Sequence, residues 1–377
     1  MDNQNNQVKV LDRYLSPLDV WAMALGCMVG WGAFVMPGTT FLPVAGPAGT
    51  LIALTIGLAV MLTVAQSISF LMMRYPSTGG IYSYTKEAFG RDHAFLCSWF
   101  LCLSYLTIVF LNGTALFLVI RTMSGNAAHG SWHYTVAGNT VYFREVALSV
   151  AALAGIGVLF IVAKPILQKL HTVLAVILIV GSVAAAAFCV PHALAGGQLG
   201  TFGFQGISRP FAVFSLVILA PWAFVGFEVT TLDTAHFRFP VKKTRSVLFI
   251  SIVAAAFIYI AMALVSMSAI PDGYGSWVDY ISDLGNLNGV ASVPTFYAAR
   301  SIMGPAGLAL ICITAIAAIL TGIIGAYRAM MRMLSTMAED NILSKSFEKT
   351  SYSILFVMAL SILISLLGRN TLSWLWI

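Results

Sequence analysis

Runs of about 18 or more mostly apolar residues recur along the whole chain, each long enough to cross roughly 30 Å of hydrocarbon as an α-helix. Nine complete spans are predicted, near 19–42, 47–72, 94–121, 146–163, 172–190, 211–233, 247–270, 305–327 and 352–368, with the start of a tenth at 371–377. A membrane β-barrel is excluded, because its strands would be about ten residues of alternating polarity. No soluble domain interrupts the spans. Residues 1–17 form a polar N-terminal segment, and 18–377 a single transmembrane domain. The longest connections are Thr122–Arg144 and Pro271–Gly304 on one side and those around 74–93 and 328–351 on the other.

Two spans are interrupted. The first holds Gly26, Gly30, Gly32, Pro37 and Gly38 within thirteen residues, a density that a continuous helix tolerates poorly even in lipid. The sixth is weakened by Pro221 and Gly226. Spans one and six hold the same ordinal position in two five-span halves, and paired interruptions of that kind point to the binding site of an inverted-repeat transporter. Trp31-Gly32-Ala33-Phe34-Val35 and Trp222-Ala223-Phe224-Val225 are a faint internal echo. After span two, Pro76, Gly79 and Gly80 break the chain ahead of an amphipathic stretch with Lys86 and Glu87, which suits a short helix at the membrane interface.

Composition agrees with this pattern: 59% of the 377 residues are apolar and 9% charged, where a soluble domain carries about a quarter charged. The N-terminal segment, with Asp2, Lys9, Asp12 and Arg13, lacks a signal peptide's basic start and cleavage site, so the N-terminus is expected in the cytoplasm. That orientation puts 15 of the 20 Lys and Arg inside, leaving Arg121, Arg144, Arg209, Arg300 and Arg369 outside. The net charge of +6 therefore reflects topology and implies no nucleic-acid partner. Cys27, Cys97, Cys102, Cys189 and Cys312 fall in or at the edges of spans without metal-ligand spacing, and read as reduced packing residues. No metal or cofactor is expected.

Four motifs in order resemble the amino acid–polyamine–organocation permeases over nearly the whole chain. They are Gly30 to Gly38 in the first span; Pro76, Gly79, Gly80, Tyr82, Tyr84 and Gly90 after the second; Ala223 to Glu228 with Pro240, Lys243 and Arg245 around the sixth; and Arg328 to Phe347, containing Met337-Ala338-Glu339-Asp340-Asn341, taken as the loop after the eighth. Asn341 stands where a left-handed glycine is usual. The resemblance implies an all-α polytopic bacterial inner-membrane protein with a five-plus-five inverted-repeat (LeuT-like) transporter fold, helices one and six being discontinuous at mid-membrane. Two further helices usually follow the tenth, so this sequence, stopping at Ile377, is expected to be a truncation within helix ten. The implied function is secondary transport of amino acids or related amines by alternating access, through exchange or proton-coupled symport. A non-transporting sensor or accessory subunit of the same fold is the alternative.

An amino acid needs its carboxylate and ammonium solvated at membrane depth. Where helix one unwinds, N–H groups of Gly30, Trp31 and Gly32 are candidates for the carboxylate, aided by the positive end of the following half-helix. Carbonyls near Cys27, Met28 and Phe224 are candidates for the ammonium. Glycines that serve only helix packing are the competing explanation. Trp222, next to Ala223, is a candidate lid over the substrate side chain, or an interfacial anchor. Trp31 would narrow the pocket or point into a neighbouring helix. Asn112 and Tyr105 face the site or hold helices together.

Glu228, the carboxylate deep in a complete span, is expected to be protonated and to couple transport to protons or relay binding to the gate, with a structural hydrogen bond as the alternative. Asp233 and His236 gate or titrate, unless they form a solvated helix end. The family's usual acidic pair is replaced by Ala235 and His236. Some proton-coupled members carry a fifth-helix lysine in place of a sodium ion; alignment through Lys164, Gln168 and Thr172 puts Ala175 there, so lysine-based coupling is not expected. A membrane-embedded enzyme is disfavoured, because His93, His129, His133, His171, His192 and His236 all fall at loops or span edges.

Overall fold

The computed structural model of the chain describes residues 13–77, 79–125, 130–195 and 209–369. Helix α1 (Pro17–Met28) opens with a reciprocal cap: Asp19 N–H donates to Ser16 Oγ at 3.2 Å, and the Asp19 carboxylate accepts from Ser16 N–H at 2.9 Å. Every residue from Ala22 to Met28 is buried, so α1 runs through protein and not along lipid. The chain leaves helical geometry at Val29 (φ −112°, ψ 102°). It resumes as α2 (Gly32–Met36), a π-helical stretch at Pro37–Phe41, and α3 (Leu42–Arg74). Gly46, at φ 67°, bends the start of α3 ahead of Pro47. That bend divides spans one and two.

Next come α4 (Ile81–Phe89), α5 (Arg91–Ser124), α6 (Phe143–Val162), α7 (Lys164–Ala195) and α8 (Arg209–Leu219). Span six continues from α8 through 3₁₀ turns at Ala220–Phe224, breaks at Val225 and Gly226, and goes on as 3₁₀ turns over Phe227–His236. Then follow α9 (Thr244–Ser266), α10 (Trp277–Ser282), α11 (Pro294–Glu339) and α12 (Thr350–Ser365). Gly304, at φ 67°, separates a leading segment of α11 from its long span. Among the described residues seven helical segments are long and apolar enough to cross a membrane, and α1 and α12 are shorter apolar helices. The tenth span predicted at 371–377 lies outside the described residues.

Burial sorts the helices. In its most apolar stretch α11 is 67% buried and α6 only 33%. α11 packs on α5 and α7, and α1 is held among α7, α9 and α11, so the interrupted span sits at the centre of the bundle. Outward-facing Phe70, Phe100, Phe188 and Phe214 are exposed, as suits an apolar solvent.

One expectation is corrected, and one small element adds to a mostly helical fold. In the connection between α5 and α6, β1 (His133–Val136) and β2 (Asn139–Tyr142) pair antiparallel across Ala137 and Gly138, both at positive φ. The β-branched residues on either side of that two-residue turn are the signal for a hairpin. Arg328, assigned to a loop, lies within α11, which continues to Glu339. Arg369, in the last described turn, is half-buried and donates to Leu111 O at 2.8 Å and Thr114 Oγ1 at 3.1 Å.

Candidate functional site at two helix breaks

Between α1 and α2 the chain leaves helical geometry at Val29 and returns to it at Trp31, and the backbone polar groups of this break need partners. Ala33 N–H donates to Gly30 O at 3.1 Å and Phe34 N–H to Trp31 O at 3.0 Å, which restarts the helix as α2. Trp31 N–H donates to Asn112 Oδ1 at 3.2 Å, and Asn112 Nδ2 donates to Ile108 O at 2.9 Å. The second bond fixes which way the amide faces. Gly30 is glycine for space as well, since a Cβ there would lie 2.7 Å from Asn112 Oδ1. The three N–H groups expected to be open to a carboxylate are thus reduced: that of Trp31 is held by Asn112.

A Cβ on Gly32 would lie 2.7 Å from Trp222 Cη2, so the span-six indole covers the first residue of α2. Trp31 turns the other way, its ring 5.7 Å from that of Phe296 on α11.

The two breaks touch. Gly226, at φ 122°, is so close to Cys27 that a Cβ would lie 2.7 Å from its carbonyl carbon and oxygen. Only glycine fits there, both for the dihedral and for the approach. Glu228 Oε2 accepts from Gly226 N–H at 2.8 Å and Oε1 accepts from Tyr105 Oη–H at 2.9 Å. Each carboxyl oxygen accepts one hydrogen bond, which ties the side chain to the break and to α5. The Met28 carbonyl accepts from Tyr259 Oη–H at 3.5 Å. Cys27 Sγ points at Gly325 of α11, and the Phe224 ring, fully buried beside Ala223, packs toward Gly57 of α3.

Asp233 is not a solvated helix end. It is completely buried, 2.9 Å from Arg332 Nε and 3.7 Å from Arg328 Nη1. Arg328 also donates to Gln168 Oε1, and Gln168 and Thr172 donate to the Asp19 carboxylate at 3.4 and 2.9 Å. One polar network therefore joins α1, α7, span six and α11. The N-terminal segment is strapped beneath it: Tyr14 and Leu15 N–H donate to His236 O at 3.0 and 3.1 Å, and Arg238 N–H to Leu15 O at 2.9 Å. Burial overturns the solvated-end reading because a carboxylate removed from water requires cationic partners.

The sequence profile of the amino acid permease family matches residues 15–373. The chain belongs to that family. The branched-chain amino acid permease of Bacillus subtilis (strain 168) is 25% identical over 72% of this permease and 58% of its own length. The human cationic amino acid transporter 4 is 26% identical over 69% of this permease and 41% of its own length. The permease thus spans about half the length of these relatives. A nucleobase-cation-symport-1 family transporter, closed around bromovinylhydantoin, superposes with a TM-score of 0.63 at 12% identity, covering 100% of this permease and 77% of that chain. A Na⁺-coupled sialic acid symporter in a substrate-bound outward-open state gives 0.62 at 11% identity, over 96% and 75%. The permease shares their fold and is a multi-pass membrane protein; its family and structural neighbours are transporters, not enzymes.

The permease brings Gly30, Trp31, Gly32, Asn112 and Trp222 together at one break, and Cys27, Gly226, Glu228 and Tyr105 where the breaks meet. Asp233 belongs to the separate ionic network. Sequence reasoning missed the arginines of that network, although Asp233 and Arg328, placed close to apolar spans, were charges in need of partners. It also misplaced His171, which is fully buried in α7. Among the described residues no group of His, Cys, Asp or Glu is set to hold a metal.

Proposed function

We propose that this permease is a secondary transporter of amino acids or related amines working by alternating access, with the N-terminus in the cytoplasm of a bacterial inner membrane. The observation that carries the reading is the meeting of the two helix breaks at Cys27 and Gly226, with the N–H groups of α2 on one side and the carbonyl end of α1 on the other. A zwitterion presents a negative and a positive end, and these half-helix termini are complementary to it. On this reading residues 18–377 hold two inverted five-helix repeats, of which spans one and six are the equivalent members. The substrate carboxylate lies at Gly30 and Gly32 and displaces Asn112 from Trp31 N–H. Its ammonium faces the carbonyls at Cys27 and Met28, and its side chain lies against Trp222. The Asp233–Arg328–Arg332 network closes the cytoplasmic side. The named substrates of the relatives, branched-chain and cationic amino acids, both fit recognition by backbone alone.

Labelled leucine, arginine and histidine, offered to proteoliposomes of the full-length protein with and without preloaded amino acid, test this. Uptake that preloading accelerates is expected for an exchanger. Neither uptake nor binding of any amino acid or amine would overturn the proposal.

A further inference from the structure

Several cations on the side of the N-terminus are matched within the protein. Lys86 meets the Asp340 carboxylate at 2.7 Å, Arg91 donates to Asp340 O at 2.8 Å, and Arg328 and Arg332 close on Asp233. Arg238, Lys242, Lys243 and Arg245, at the exit of span six, are different. All four are exposed, and no hydrogen bond or ion pair engages their side chains among the described residues. The sequence offers them no anion nearby, because no acidic residue stands between Asp233 and Asp272. Topology asks for cations in this connection, but it does not ask for them to be crowded into one short turn.

The surface beside them is apolar. Helix α9 begins at Thr244 and packs between α3 and α7, and it is 61% buried along its most apolar stretch. What it leaves uncovered is a single strip. Beyond Ser246 its exposed residues are Ile250, Val253 and Phe257, spaced three and four apart and therefore stacked on one face. Arg245 stands at the head of that strip, its guanidinium 5.3 Å from the centroid of the Phe249 ring.

A basic group at the head of one apolar strip is complementary to a molecule with an anionic head and a hydrocarbon tail. A soluble anion would use the cations alone, and a neutral lipid the strip alone. Lys242 and Lys243 supply two compact charges, and Arg245 a planar fork that takes phosphate oxygens in pairs. The connection is also bonded to the N-terminal strap, Arg238 N–H donating to Leu15 O at 2.9 Å. A headgroup held here bears on the segment that closes this side of span six.

We propose that residues 238–245 and the exposed strip of α9 bind an anionic phospholipid of the leaflet on the side of the N-terminus. Its phosphate lies at Lys242, Lys243 and Arg245, and one acyl chain runs along Ile250, Val253 and Phe257. The site is independent of which substrate the permease carries.

Native mass spectrometry of the delipidated full-length protein, titrated with dioleoylphosphatidylglycerol or dioleoylphosphatidylcholine, tests this. The first phosphatidylglycerol should be held at least tenfold more tightly than phosphatidylcholine, which has the same chains and no net charge. Lys242→Gln/Lys243→Gln/Arg245→Gln should abolish that preference. Lys345→Gln/Lys349→Gln, which removes two cations from another connection on the same side, should keep it. Equal affinity for the two lipids overturns the inference, as does a preference that survives the triple variant or is lost equally in the control. Glycerol phosphate in hundredfold excess should not displace the lipid; displacement would make this a soluble anion's site and overturn the lipid reading. Should the triple variant fail to fold, Lys242→Gln and Arg245→Gln decide singly: a preference reduced at least threefold in either supports the site, and one unchanged in both overturns it.

Discussion

Asn112 shows how one side chain stands in for a ligand. Its oxygen holds Trp31 N–H, one of the donors freed by the first break, and its own amide is locked by Ile108 O. Asn112→Asp keeps the shape and places a negative charge where the proposed carboxylate must arrive. Amino acid affinity should fall about tenfold or more, equivalent to about 1.4 kcal/mol, while decarboxylated amines lose little; titration calorimetry on the pair of ligands checks this. The glycines of the break were legible in the sequence because a missing side chain next to proline has few other uses in a span. Asn112's bond to Trp31 was not, because its partner is 81 residues away and a mid-span asparagine is equally suited to joining helices. Glu228 was legible as an isolated carboxylate, yet its donors, Tyr105 and the next-but-one glycine N–H, depend on the break geometry itself.

At the scale of elements, the spans could be read from apolar length alone, whereas their continuity could not. α11 looked like a span followed by a loop, but the helix runs on through Arg328 and Arg332 because both guanidinium groups find Asp233 inside the protein. The hairpin at 133–142 escaped because four-residue strands are faint beside the long apolar runs on each side. Two substitutions test the elements. Gly226→Ala puts a methyl against the Cys27 backbone at a positive φ, costing about 1–3 kcal/mol; transport should be lost with the fold retained, as read by uptake and thermal melting. Asp233→Asn leaves the buried guanidinium of Arg328 and the half-buried one of Arg332 without their anion, a loss of about 3 kcal/mol. In a protein whose other four cysteines are replaced, Cys27 should then react faster with an impermeant thiol reagent added on the side of the N-terminus. Unchanged labelling would sink the role of Asp233 as a closure.

Across the whole molecule a second tie lies outside the bundle core and joins its two interfacial connections. Asp340, at the end of α11, accepts from Lys86 Nζ at 2.7 Å and from the Tyr82 hydroxyl, while its backbone carbonyl accepts from Arg91 Nη2 at 2.8 Å. Asn341, at φ 56°, turns the chain immediately after it, a left-handed position that asparagine tolerates better than most residues. Partial burial raises the Asp340 pKa, but the hydrogen bonds from Lys86 and Tyr82 and the nearby cations outweigh it, so the carboxyl sits below its ordinary 3.8. The sign of the linkage follows: a folded-state pKa below the unfolded one means that the tie stabilises at pH above 3.8 and is lost as pH falls through the folded value. Asp340→Asn should therefore melt below wild type at pH 6, and the gap should close as both are taken to pH 3. Because the tie fastens α4 to α11, the two elements on either side of the strapped span-six exit, the same variant should also quicken exchange of α4 amides for deuterium. A melting gap that persists unchanged at pH 3 would mean that Asp340 acts through packing and not through its charge.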